Sequence, residues 1–370
     1  MGAAQSLGTR WSNAFLDSMR QQTDPAADHV VAELFRAGQV GAVNQLMRAL
    51  VDNDGLPADS LPPVVLDYLR DSGRLPEWAD AALIAAGERV FWRYGPAAIA
   101  ILHCYSLPYC YAGAKGVKVL ALTARLSSNP TRRIVETAQM MVDVLRPGGL
   151  GALGTGIRSA QKVRLMHAAV RLLIGQSGLW RAEWDLPVNQ EDMAGTLMAF
   201  SWTTIDGLRR LGYPVSDPEA EAYLHCWKIT GHILGIREDV LPVDFGDAGA
   251  LSRRIPERQF AACDEGRLMN DALVKMLQHY LPGDLFDRVP AILMRFFLGD
   301  ATCDILGVDT VREGRLVMAP VEALARMKGS LIQGSTEIAR VHELFGRALI
   351  GAIMLAARGG ARPPFTIPTE

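Results

Sequence analysis

The sequence lacks the cysteine patterns that build covalent or zinc-held folds. Its five cysteines (Cys104, Cys110, Cys226, Cys263 and Cys303) are odd in number, and no Cys-x-x-Cys occurs. A paired disulfide framework and a zinc ribbon are therefore both excluded. An excess of one charge is missing too. The 38 basic residues face 40 acidic ones, which leaves no concentrated basic surface for nucleic acid. No apolar run reaches the ~18 residues that a membrane-spanning helix needs. The longest candidate, around Ala348 to Ala357, contains Gly351 and reads as a core helix. A charged leader followed by an apolar stretch is absent, so the expectation is a cytoplasmic chain without a signal peptide. Met1-Gly2-Ala3-Ala4-Gln5-Ser6 fits the myristoylation pattern, but so short a match arises often by chance. Membrane contact is thus expected to be peripheral at most.

One local absence is sharper. From Arg89 to Val135 the chain has no Asp or Glu. Any reaction centred on that stretch lacks a carboxylate base.

What the chain does have is helical spacing. Hydrophobic residues make up 49% of it, enough for a sizeable core, and alternating strand patterns and internal repeats are scarce. The expected fold is all-α, in one large domain over 61–357. A helical N-terminal arm covers 1–60, and a Gly- and Pro-rich tail over 358–370 is expected to be poorly ordered. A helix is expected from Glu77 to Tyr94, stopped by Gly95-Pro96. Two helices meeting at a bend are expected between Ala97 and Leu126, where Pro108, Gly113 and Gly116 interrupt. Asn129-Pro130 starts another helix, which Pro147-Gly148-Gly149 ends. The five-glycine stretch Gly148 to Gly156 has no preceding strand and no Lys-Ser/Thr, so it reads as a flexible connector rather than a phosphate loop. Leu186 to Asp192 reads as a turn and cap. Further helices are expected over 191–211, 217–236, 256–280 and 287–305.

His167 stands alone in the run Lys162 to Ile174. At about 100° per residue, Val163, Met166, Val170 and Ile174 form one apolar face. His167 lies on its edge, with Arg164 and Arg171 just beyond. A neutral imidazole entering an apolar space suits an axial haem ligand, and arginine suits haem propionates. Without Cys-x-x-Cys-His, such a haem would be b-type. The plain alternative is a hydrogen-bonded boundary histidine. On the helix over 130–145, Arg133, Thr137, Met140 and Val144 share a face. The two polar ones are either a surface Arg and a back-bonded Thr or a pair that reaches bound oxygen. His225 and His232, seven apart, read as core histidines near a haem edge rather than as a metal pair. The absence of Glu-x-x-His pairs disfavours a ferritin-like metal protein.

Four ordered segments carry a resemblance. They are Arg132-Arg133-Ile134-Val135-Glu136-Thr137, then Lys162 to Arg171, then Pro187 to Met193, and lastly Glu221 to Trp227 followed by Gly231 to Gly235. Together they resemble the DUF2236 family of oxygenases, which includes latex clearing proteins and MpaB, over roughly residues 75–310. The resemblance implies a globin-like helical core with additional surrounding helices and one b-type haem (iron). It implies His167 as proximal ligand, Arg171 in support of the haem environment, and Arg133 and Thr137 as the distal pair. Arg164 is a propionate candidate from helix geometry, and Arg295 a further haem-side candidate. The implied chemistry uses O2 to cleave a carbon–carbon double bond of a small apolar unsaturated substrate, an isoprenoid or other lipid. The sequence departs from some family members in two ways. Glu136 replaces a lysine before the distal threonine, and the distal glutamate is missing. Lys115, in the corresponding stretch, reads as an ordinary exposed lysine. A non-catalytic haem protein, a gas sensor or haem carrier, is the alternative.

Overall fold

The computed structural model describes residues 10–49, 61–126, 130–280 and 287–311, with scattered helical positions between 318 and 337. The expected all-α architecture is what these residues form. Among them there is no strand, only a lone antiparallel bridge between Gly113 and Phe260. The expected tail, the 348–357 helix and Asn129 lie outside the described residues.

The N-terminal helices are α1 (Asn13–Arg20), α2 (Pro25–Arg36), α3 (Val40–Ala49) and α4 (Pro63–Ser72). Ser12 and Asp24 cap α1 and α2 by accepting from Phe15 N and Ala27 N. Helix α5 (Ala81–Arg93) begins later than expected, because the Asp80 side chain accepts from Ala82 N and Leu83 N and so fixes the start.

The stretch after α5 is more broken than two helices. It forms α6 (Gly95–Ile101), a π-helical turn over Leu102–Ser106, α7 (Leu107–Ala112) and α8 (Val117–Leu126). Pro108 explains the π turn. It has no N–H for the carbonyl of residue 104, and the Leu107 amide reaches back five residues to Leu102 O instead.

Helices α9 (Pro130–Leu145) and α10 (Gly156–Gln176) follow, then α11 (Gln190–Phe200) and α12 (Trp202–Arg210). The last two replace the single helix expected over 191–211. The hydroxyls of Ser201, Thr203 and Thr204 each donate to the carbonyl four residues back, a bonding pattern that bends helices. Helix α13 (Asp217–Ile233) opens on a complete capping box between Ser216 and Glu219.

The helix expected over 256–280 is also two, α14 (Phe245–Gln259) and α15 (Asp264–Tyr280). The chain between them turns extended to bond the α7–α8 turn, with Ala114 N donating to Gln259 O and Ala261 N to Ala112 O. Gly299, at φ 79°, divides α16 (Val289–Leu298) from α17 (Asp300–Ile305), a conformation that favours glycine.

Helix α10 is the organising element. Ile157 and Ala160 belong to the main core, built largely from α5 to α9 and α11 to α16. Leu165, Ala168 and Ala169 pack on the N-terminal helices. Val170 and Ile174 pack with Val119 of α8 in a third cluster. Helices α5 and α13 approach closely at Gly87, where an added Cβ would lie 2.4 Å from Ala222 O and 2.7 Å from Cys226 Sγ.

The glycine stretch 148–156 is not a loose connector. Gly148 N and Gly149 N donate to the buried Glu88 carboxylate at 3.1 and 3.2 Å, and Gly156 N donates to Gly149 O. A Cβ on Gly154 would meet Gly149 O at 2.2 Å and Gly148 O at 2.3 Å. The glycines permit close backbone packing, which a composition-based reading mistakes for mobility.

Candidate functional site

His167 lies at mid-length on α10, half-buried, on the face that turns toward α8 and α9. Its neighbours on that face divide between two clusters. Val163 leans on the main core, while Met166 and Val170 pack with Val119 and Leu122 of α8. Helix α9 packs along α10. Asp143 of α9 ties the two together, accepting from Gln139 Nε2 at 2.5 Å and from Ser159 Oγ of α10 at 3.0 Å. Thr137 is half-buried on α9. Arg133 lies one turn earlier, with its backbone in the helix and its side chain outside the described residues.

The arginines beside His167 meet acidic residues at the start of α2. Arg164 meets Asp24, the N-cap of α2, with Nε to Oδ2 at 2.6 Å and Nη2 to Oδ1 at 2.8 Å, and also bonds Ile233 O. Its carboxylate partner here is thus internal. Arg171 donates from Nε to Asp28 Oδ1 at 2.7 Å and from Nη1 to Val188 O at 3.3 Å. Its Nη2 is buried without a hydrogen-bond partner, so this guanidinium retains one donor for another acceptor. Arg295, on α16, is bonded within the fold. It binds Asp300, Asp304 and the carbonyls of Val308 and Asp309, closing the end of α16 onto α17.

The segment that holds Arg171 is strained. Asp185 (φ 64°) and Val188 (φ 52°) are the non-glycine residues with positive φ among those described, and Val188 is β-branched, for which that conformation is costly. Three fixings offset the strain. Arg20 and Lys115 bond the Asp185 carboxylate at 2.5 and 2.8 Å, Trp180 Nε1 bonds its carbonyl, and Asn189 caps α11 through Asp192 N. Burial pushes the Asp185 pKa up, but the two cations outweigh it and hold the carboxyl below its ordinary value. Lys115 is therefore an ion-pair partner, not an unattached exposed lysine.

His225 and His232 lie on α13. They pack edge-on against Trp78. His225 Nε2 accepts from Asp80 N at 2.9 Å, which requires a neutral ring, and burial lowers its pKa, as it does that of His232.

The donor set can be compared with the metal groups a protein of this kind could hold. Among the described residues no group of three or more His, Cys, Asp or Glu is placed to cage an ion. One imidazole on a rigid helix, with an apolar wall on one side and a buried guanidinium donor one turn on, fits a macrocycle that brings its own in-plane ligands. Two surface cavities, of about 490 and 750 Å³, lie elsewhere and are not lined by His167.

Residues 85–327 match the family described as ER-bound oxygenase mpaB/B'/rubber oxygenase, catalytic domain. The chain belongs to this family. A rubber oxygenase from Streptomyces sp. (strain K30) is 26% identical over 291 residues, which cover 77% of this chain and 70% of that protein. The solved structure of latex clearing protein LCP in the closed state superposes with a TM-score of 0.82 at 24% identity, covering 95% of both chains. That likeness establishes a shared helical fold.

Sequence reading did not find the acidic partners, Asp24 and Asp28, because nothing in the primary structure links them to α10. Pro187 to Met193 was visible as a motif, but its role as the holder of Arg171 was not. Among the described residues no helix is long and apolar enough to cross a membrane.

Proposed function

We propose that this chain is a haem-b-dependent oxygenase that uses O2 to cleave a carbon–carbon double bond in an isoprenoid or other unsaturated lipid. The observation that carries the reading is the placement of His167. Within the family-matched span, it is a lone imidazole on the face of α10 that turns toward α8 and α9, and α9 bears Arg133 and Thr137. The family's oxygenases and the rubber oxygenase relative supply the reaction class.

In this reading His167 would hold the iron, and Arg171 would offer its spare Nη2–H to a haem carboxylate. The haem supplies the iron that activates O2. Arg133 and Thr137 share one face of α9, and Thr137 presents a hydroxyl that can donate to an oxygen atom on the distal side. The apolar side chains of α8 exclude water and favour an alkene over a charged substrate. From Arg89 to Val135 no carboxylate is present, Lys115 is held by Asp185, and the half-buried His103 has its Nδ1 on Ile99 O.

The same missing carboxylate favours a second reading, a haem protein without turnover, such as a gas sensor or carrier. One series of measurements separates the two. Wild type and His167→Ala are reconstituted with haem, spectra are recorded, and O2 uptake and carbonyl products are followed with a panel of isoprenoids. A Soret band that changes or disappears in the variant, together with carbonyl products from wild type, is expected. A band indifferent to the substitution overturns the ligand assignment. Full haem loading without product selects the second reading.

A further inference from the structure

Helix α11 runs through the interior. All its residues from Gln190 to Phe200 are buried except Asp192, which is half-buried, and Thr196, which is exposed. These two lie one turn apart and share a face. That face is turned into the protein. Thr196 bonds the Cys110 thiol of α7, and a Cβ added to Gly116 would lie 3.4 Å from Asp192 Cγ. Cys110 is itself half-buried, yet burial pushes its thiol up to about 12, and burial likewise raises the Asp192 pKa. Groups set so deep among protein atoms, with surface still open to water, border an interior space. The smaller cavity, about 490 Å³, adjoins it. Arg20 and Lys115 line that cavity, and Arg20 Nη1 donates to Asp192 Oδ1 at 2.9 Å.

The hydrogen-bonding capacity of this face is one-sided. Thr196 Oγ1 donates its proton to Asp192 O at 2.8 Å, so its hydroxyl offers only lone pairs to the space. The Cys110 thiol can take one of them, and one remains. The Asp192 carboxylate accepts from Arg20 and, at 2.9 Å, from Asn189 Nδ2, which fixes a negative charge one turn away. A ligand group that donates a proton matches this face. An anion would meet a carboxylate and an acceptor oxygen with no donor to offset its desolvation.

We propose that this space seats the hydroxyl end of an unsaturated lipid alcohol, with the O–H donated to Thr196 Oγ1 and the apolar chain leading away from the Arg20–Asp192 pair. The alkene part of the ligand rests on the oxygenase reading; the hydroxyl seat does not.

The test uses the full-length protein, haem-free and haem-loaded, with three probes of one skeleton: farnesol, farnesene and farnesoic acid. Tryptophan fluorescence or calorimetry should give saturable farnesol binding about tenfold tighter than either of the others, the scale of one buried hydrogen bond. Thr196→Val keeps the shape and should bring farnesol down to farnesene while leaving farnesene unchanged. Thr196→Ser should retain the preference, and circular dichroism confirms the fold of both variants. Labelling of Cys110 by methyl methanethiosulfonate at pH 9, located by mass spectrometry, should be slow and should be blocked by farnesol. Equal affinity for the three probes, a Thr196→Val loss shared by farnesene, a Cys110 that never labels, or labelling indifferent to saturating farnesol would each overturn the proposal. Protection of Cys110 by haem alone would also overturn it, by giving the space to the macrocycle. Farnesol binding with Cys110 protected but without carbonyl products would leave the hydroxyl seat standing and count against the oxygenase reading instead.

Discussion

Arg164 on α10 and Asp24 at the start of α2 form a two-point ion pair, at 2.6 and 2.8 Å, although 140 residues separate them. Asp24 is 4% exposed and also caps its own helix. Burial works against the Arg164 charge, but bonding to Asp24 outweighs it and raises the pKa. Arg164→Ala should therefore leave a buried carboxylate without its cation and destabilise the fold by about 3–5 kcal/mol. Asp24→Ala/Arg164→Ala should recover part of that loss. Denaturant titration of the two single variants and the double variant measures the coupling. A single-variant loss below about 1 kcal/mol would show that the pair is not structural. Haem loading of Arg164→Gln should match wild type, because its carboxylate partner is already in the protein.

The carboxylate of Glu88 performs a comparable task for the glycine segment. Glu88→Ala removes the acceptor of two amides, Gly148 N and Gly149 N, and is expected to cost about 2–3 kcal/mol. Gly154→Ala should be worse, since its Cβ would overlap two backbone oxygens that have no room to move. Soluble yield and thermal melting check both. A Gly154→Ala protein melting with wild type would mean that the segment is as loose as its composition suggests.

His225 predicts a pH dependence with a defined sign. Burial, then Lys228, lowers its pKa, and Asp80 opposes them. The unfolded ring takes a proton at about 6.5 while the folded ring resists it. The stabilisation is therefore complete above about pH 6.5 and is lost as pH falls from there through the folded pKa. Proton resonances of the His225 ring should titrate with a midpoint below 6.5, accompanied by a shift of the Asp80 amide. A midpoint at or above 6.5 would contradict the hydrogen bond from Asp80.

Thr137→Val tests the distal side of the proposed reaction. The two side chains are nearly isosteric, so haem uptake and the Soret band should be retained. Loss of the hydroxyl should slow product formation at least tenfold, the scale of one hydrogen bond of about 1.4 kcal/mol made to a reacting group. Unchanged turnover would remove Thr137 from the site.

The sequence by itself determined the helices, and through its ordered segments the family. Caps and breakers act over a few residues, so Asp80, Ser216 with Glu219, and Pro108 mark starts and a π turn whose causes are local. Helical periodicity likewise placed His167 on an edge of the apolar face of α10. Where a helix is divided by a distant contact, the local pattern failed. The break at Phe260 exists because the α7–α8 turn bonds there, and a period of 3.6 residues carries no record of that. The arginines show the same limit most plainly. Residue spacing put Arg164 and Arg171 beside the histidine, but only the packing of α2 against α10 gave them Asp24 and Asp28. A guanidinium reaches whichever carboxylate the fold brings within about 3 Å, and that choice belongs to tertiary structure alone.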